Sequence, residues 1–178
     1  GNSAVFKIII KNTQDSHLND RDGKNPLHYL CSCPDLSQED FTDLLDFMIK
    51  QNFNFNHSDS KGKLPLHYFA KFNGGKTQSL KVLMEETVNL DHEDNSGQTA
   101  LMILAKSCST LKPIKLLIEK VHNLSKQDTW GRTMLSNLIE KNRSLVSQEN
   151  FNILTGCQLR PEVFDVACSW LVETRQEK

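Results

Sequence analysis

Several residue patterns in this chain are of types that could do chemistry. His28 and His67 each stand two residues after a proline, in Pro26-Leu27-His28 and Pro65-Leu66-His67. An imidazole titrates near neutral pH and can act as an acid, a base or a metal ligand. The aspartates Asp20, Asp59, Asp94 and Asp128 recur at wide, nearly regular intervals and could form a carboxylate array. Asn73-Gly74-Gly75-Lys76-Thr77 has the glycines and the lysine of an anion-binding loop, and Cys31-Ser32-Cys33 places two thiols close together.

None of these develops into a catalytic or metal-binding signature. There is no G-x-x-x-x-G-K phosphate loop, no G-x-S-x-G elbow, no H-E-x-x-H pair and no G-x-G-x-x-G turn. The glycine-lysine stretch follows no strand and reads as a turn between helices. Cys31 and Cys33 lack the spacing and the second Cys or His pair of a zinc site. His17, His57, His92 and His122 fall in connecting segments with no ligand spacing. We expect no catalytic residue, no metal and no other cofactor.

Composition narrows the classes further. The 178 residues are 38% hydrophobic and 24% charged, enough to bury a core. The net charge of −1 gives no general attraction to nucleic acid or to an anionic membrane. No apolar run approaches the roughly 20 residues needed to cross a bilayer, and the Ile8-Ile9-Ile10 run is too short for a signal peptide. Five scattered cysteines, Cys31, Cys33, Cys108, Cys157 and Cys168, read as reduced thiols, hence an intracellular protein in the nucleus or cytoplasm.

What positions these residues is a repeat. Asp20, Asp59, Asp94 and Asp128 each precede by three residues a glycine, Gly23, Gly62, Gly97 and Gly131, and a leucine follows each glycine by four. The glycines are 39, 35 and 34 residues apart, a period that signals stacked supersecondary units. Each unit reads as a tight turn, where glycine supplies a backbone angle other residues resist, then a short helix. These first helices are expected at 26–33, 65–72, 99–107 and 133–141, with Pro26 and Pro65 at their starts. Second helices follow, with apolar positions Leu45, Phe47, Met48 and Ile49; Leu80, Val82, Leu83 and Met84; and Ile114, Leu116, Leu117 and Ile118. The Asp ladder is then a set of turn-forming carboxylates rather than an active site.

Gly62-Lys-Leu-Pro65-Leu66-His67-Tyr-Phe-Ala70, Gly97-Gln-Thr99-Ala-Leu101 with Ala105, and Gly131-Arg-Thr133-Met-Leu135 resemble the ankyrin repeat, whose signature includes T-P-L-H-x-A. The resemblance implies an all-α ankyrin-repeat solenoid with a helical C-terminal cap. Its repeats would span 20–58, 59–93, 94–127 and a degenerate unit from 128 to 142 onward. A partial repeat would occupy 3–19, where Phe6, Ile8, Ile9 and Ile10 mark a second helix, and 143–178 would hold a degenerate second helix and the cap. It also implies that His28 and His67 tie down neighbouring loop backbone. Unit one carries an insertion around 33–37, with Ser37 through Asp40 resembling a capping box. Unit four has Met134 and Ser136 where Pro and His stood. The bare apolar helix at the start suggests a piece of a larger protein, and the motif's decay after Lys141 suggests a less stable end.

The implied function is protein–protein interaction, through the turn tips and the groove lined by first helices. The tips are Arg21-Asp22, Ser60-Lys61, Asn95-Ser96 and Thr129-Trp130. Groove positions are Tyr29, Tyr68, Ile103 and Asn137, followed one turn on by Ser32, Lys71, Lys106 and Glu140. The binding candidates are Tyr29, Tyr68, Ile103, Trp130, Asp22, Lys61 and Lys71, while Gly23, His28, Gly62, His67, Gly97 and Gly131 carry the repeat structure. The partner would be a protein or peptide, basic if the acids at 35–46 and 85–94 converge, and not a small molecule, membrane or nucleic acid. A histone-tail or chromatin reader, or a spacer that positions a catalytic domain elsewhere in a parent protein, are the other readings.

Overall fold

The computed structural model describes residues 19–141. The expected partial repeat at 3–19 and the cap at 143–178 lie almost wholly outside them, as do His17, Cys157 and Cys168. Among the described residues there are seven helices: α1 Pro26–Cys31, α2 Gln38–Lys50, α3 Pro65–Phe72, α4 Thr77–Glu86, α5 Ala100–Ser107, α6 Lys112–Ile118 and α7 Met134–Lys141. Helices α1 and α3 start where the sequence indicates, and α5 and α7 start one residue later. Pro26, Pro65 and Pro113 occupy first-turn positions, which need no N–H. Thr99 caps α5 rather than entering it, accepting from Met102 N–H at 3.3 Å. Ser37 caps α2 through Asp40 N–H at 3.0 Å.

The chain stacks in two layers. First helices α1, α3, α5 and α7 pack in sequence in one layer, and second helices α2, α4 and α6 in the other. Between units the glycine turns form a ladder: Ser60 N–H donates to Asp22 O, Asn95 N–H to Lys61 O and Thr129 N–H to Ser96 O, at 2.8, 3.0 and 3.0 Å. Gly23, Gly62, Gly97 and Gly131 all have φ between 71° and 75°, the left-handed region that the turn requires.

The core lies between the layers. Leu45, Met48, Leu80, Leu83, Ile114, Leu117 and Ile118 of the second helices are buried as expected, while Phe47, Ile49, Val82 and Met84 are only partly so. The first helices contribute as much, through Leu27, Leu30, Leu66, Phe69, Leu101, Leu104, Leu135 and Leu138. The core is therefore shared by both layers, because each first helix also faces the layer behind it. Phe53 and Phe55, on the segment after α2, close unit one against the stack.

The turn between α3 and α4 shows how close the packing is. A Cβ at Gly74 would sit 2.5 Å from Leu104 Cδ1, 2.8 Å from Cys108 Sγ and 3.2 Å from the Ala70 carbonyl. At Gly75 it would meet nothing within 4 Å. We expect Gly74→Ala to cost about 1–3 kcal/mol through overpacking against α5. Gly75→Ala should be neutral or stabilising by up to about 1 kcal/mol. Urea denaturation of both variants checks this; equal midpoints would contradict it.

Candidate functional site

The four turns share one construction. In each, the aspartate's Oδ1 accepts from the N–H groups two and four residues on: Asp22 and Lys24 for Asp20, Lys61 and Lys63 for Asp59, Ser96 and Gln98 for Asp94, Trp130 and Arg132 for Asp128. The carboxylate ladder is thus fully engaged in making turns. Burial disfavours the charge on Asp94, but Lys63, whose ammonium pairs with it, and the Gln98 and Ser96 N–H groups overcome this and hold its carboxyl below the ordinary range. Asp128 is likewise opposed by burial and held down by its backbone N–H groups, Gln98 and Arg132.

The histidines stitch each turn to the next. His28 Nε2–H donates to Lys63 O at 2.9 Å, and His67 Nε2–H to Gln98 O at 3.2 Å. In return His57 donates to Gly23 O at 2.8 Å and His92 to Gly62 O at 2.9 Å. The rings meet edge to face, His28 with His57 at 6.0 Å and His67 with His92 at 5.8 Å. His57 and His92 were passed over in the sequence as connecting residues, yet both stand five residues before a repeat glycine, a register that marks them. Lys126 holds that place before Gly131, and its ammonium donates to Asp91 O at 2.7 Å and pairs with Glu93 at 2.5 Å. Ser136, in the fourth unit's histidine position, makes only the local cap with Thr133.

The anion-loop stretch is a helix joint. Lys76 Nζ donates to Pro34 O at 3.0 Å and to Asn73 Oδ1, and Asn73 Nδ2 donates to Cys31 O at 2.8 Å. The loop thus clamps the unit-one insertion, and its ammonium is already satisfied. Burial pushes the Cys31 thiol far up and that of Cys108 to about 11. Among the described residues no group of three or more His, Cys, Asp or Glu could hold a metal ion. No helix among them is long and apolar enough to cross a membrane.

A family model of ankyrin repeats, in three copies, matches residues 35–128, slightly more than half of the chain. The chain belongs to the ankyrin-repeat family. Its turn ladder, paired helix layers and TPLH-position histidines are those the resemblance implied. Ankyrin repeats are generally protein–protein interaction modules and typically non-catalytic.

The expected binding positions of these ankyrin repeats fare unevenly. Trp130 is 64% exposed on its tip, with Arg132 stacked 4.8 Å from the ring. Tyr29 is 52% exposed, and Tyr68 is half-buried. Both tyrosines donate to the turn aspartate of their own repeat, Tyr29 to Asp20 and Tyr68 to Asp59, the latter at 2.6 Å. Tyr68 also abuts the His28 ring at 5.6 Å, so it is a packing residue as much as a surface one. Ile103 is not groove-facing: only 9% exposed, it lies in α5, where Ala100 through Ala105 are all buried between α3 and α7. A helix apolar all round is covered all round. Asn137 is fully buried, its Nδ2 3.4 Å from Met102 O. Asp22, Lys61 and Lys71 are exposed. The acids do not converge: Asp91 caps the His122 and Asn123 N–H groups, Glu93 pairs with Lys126 and Asp94 is buried in its turn. Glu39, Asp40, Asp43 and Asp46 are exposed on α2, in the other layer.

The buried histidines make stability depend on pH. Burial, then the Lys63 charge, push the His67 pKa down from 6.5 to about 4. Leu64 N–H donates to Nδ1 at 3.2 Å, so a second proton there would face another N–H. Burial lowers that of His28 too. The unfolded chain therefore binds more protons between about 6.5 and 4, and stability present above pH 6.5 falls as pH drops through that window. Full protonation would remove roughly 3 kcal/mol through His67 alone. The turn aspartates, held below 3.8, titrate at lower pH. Urea midpoints from pH 7.5 to 4.5 should fall steeply for the wild type and more gently for His67→Gln, whose starting stability is lower. Parallel slopes would contradict the assignment.

Proposed function

We propose that this ankyrin stack binds another protein through the layer of first helices and the turn tips, with Tyr29, Tyr68, Lys71 and Trp130 as contact residues. The observation that carries this reading is the distribution of exposed apolar side chains. Of the four large hydrophobic residues exposed among the described residues, Tyr29, Phe72 and Trp130 lie on first helices or tips, and Val88 on the segment after α4. Rigid, exposed aromatics are the residues that anchor interfaces. A stack that served only as a spacer would gain nothing from holding them in solvent. The exposed tips at Asp22 and Lys61 extend the same surface.

The chromatin-reader reading draws its support from acidic residues, and those exposed on α2 belong to the opposite layer. We therefore favour a protein surface or peptide over a basic tail. No residue constellation in the described chain favours catalysis.

Trp130→Ala and Tyr29→Ala should change stability by about 0.5 kcal/mol or less, as surface substitutions do. Tyr68→Ala should cost about 1–3 kcal/mol, because Asp59 loses its phenol donor and His28 its cover. If the face binds, Trp130→Ala and Tyr29→Ala baits will melt like the wild type and lose a protein that the wild type captures from cell extract. A captured set identical for all baits would move the site elsewhere.

A further inference from the structure

We propose that Asn73-Gly74, at the joint between α3 and α4, is a self-modifying site. The pair stays intact while unit one is seated on unit two. When that joint opens, it cyclises with loss of ammonia and then hydrolyses, so that the opening becomes irreversible. The reaction needs only water, and the inference stands apart from the binding face.

Asn73-Gly74 is the one Asn-Gly step in the 178 residues. Asparagine followed by glycine is the pair most prone to this chemistry, because glycine has no side chain to hinder its own nitrogen and turns freely. The Gly74 amide loses its proton, its nitrogen bonds to Asn73 Cγ, the Cγ–Nδ2 bond breaks, and Nδ2 leaves as ammonia with that proton. Water then opens the cyclic imide. Attack at Cγ gives aspartate, and attack at the backbone carbonyl carbon gives isoaspartate, with the chain rerouted through the side chain. The fold has no safer pair to use here. A Cβ at residue 74 would lie 2.5 Å from Leu104 Cδ1 and 2.8 Å from Cys108 Sγ, so glycine is required. Residue 73 must both donate to Cys31 O and accept from Lys76, which an amide can do and a carboxylate cannot.

The seated joint opposes ring closure. Asn73 and Gly74 are both buried. The leaving nitrogen, Nδ2, is held 2.8 Å from Cys31 O, and Oδ1 accepts from the Lys76 ammonium, which also donates to Pro34 O. Closing the five-membered ring requires the Gly74 nitrogen to eclipse Asn73 Cβ, and at an Asn73 ψ of 12° the two are far from eclipsed. Rotating Asn73 to bring them together breaks the 2.8 Å bond from Lys76 N–H to Asn73 O. Two of the restraints, Cys31 O and Pro34 O, come from unit one, so lifting that unit frees the side chain while α5 and α7 stay packed. Afterwards the joint cannot be rebuilt. A carboxylate has no donor for Cys31 O and is left facing that carbonyl, and isoaspartate lengthens the backbone at the end of α3.

The test incubates the full chain at neutral to mildly alkaline pH, in buffer and in denaturing urea, and follows residue 73 by peptide mapping that separates the amide, aspartate and isoaspartate forms. Conversion should be at least about tenfold slower in buffer than in urea. Lys76→Gln, which removes the ammonium from the joint, should raise the rate in buffer about threefold or more and leave the rate in urea unchanged. Leu138→Ala, a core change in α7 at the far end, lowers global stability and should raise the rate less. Asn95-Ser96, exposed on its tip, is an internal reference that Lys76→Gln should not shift. Converted wild type, separated by chromatography, should exchange its α1 amide hydrogens faster than unconverted protein, with α7 unaltered. If Lys76→Gln is unfolded by circular dichroism, Gln38→Ala takes its place, since it removes the Gln38–Ser79 bond between units one and two. Equal rates in buffer and urea, no conversion in urea, a larger effect of Leu138→Ala than of the joint variant, or unaltered α1 exchange after conversion would each overturn the proposal.

Discussion

The imidazole of His28 reaches a backbone carbonyl 35 residues away in the chain, and His57 reaches back 34 residues to the carbonyl of Gly23. The same exchange joins the second and third turns through His67 and His92. The rest of the stack depends on these reciprocal bonds. Its first helices have six to eight residues, well below the length at which a helix persists alone in water. Their stability is borrowed from neighbours, and neighbours are useful only in register. A buried imidazole with carbonyl and N–H partners sets that register because only one orientation satisfies it, and its burial is what exposes the assembly to acid.

Much of this was legible in the residues. Asp at minus three and Leu at plus four around each glycine fixed the turn and the first helix, because a left-handed glycine and a capping carboxylate leave little choice of conformation. Pro65-Leu66-His67 disclosed the family and the role of the imidazole. What stayed hidden involved two repeats at once. His57 and His92 look like loop residues until the next turn is set beside them. Ile103 and Tyr68 occupy equivalent positions, yet one is buried and the other half-buried, although α3 and α5 are each flanked by a first helix on both sides. Periodicity gives the position of a side chain on its helix and says little about how much its neighbours cover it.

The binding surface was legible in outline only. Trp130 and Tyr29 were found as exposed aromatics because their repeat positions point outward. Phe72 was missed, since at the last residue of α3 it reads as one more apolar side chain in a helix. The acidic residues gave a false impression of convergence. Nearness in sequence between Asp91, Glu93 and Asp94 conceals three separate duties, a cap, an ion pair and a turn.

The joints between repeats are not alike. Units one and two are fastened at the tips by two histidines, behind them by Asn73 and Lys76, and across the outer layer by Gln38 donating to Ser79 at 2.6 Å. Units three and four have no histidine pair, and there Gln98 meets Asp128 at 3.3 Å and Asn137 meets Met102 O at 3.4 Å. Under tension along its axis, the stack would resist by different means at its two ends, through directional side-chain bonds between units one and two and through the apolar packing of α5 against α7 between units three and four. The first kind of joint yields abruptly when its bonds break, and the second slides and re-forms.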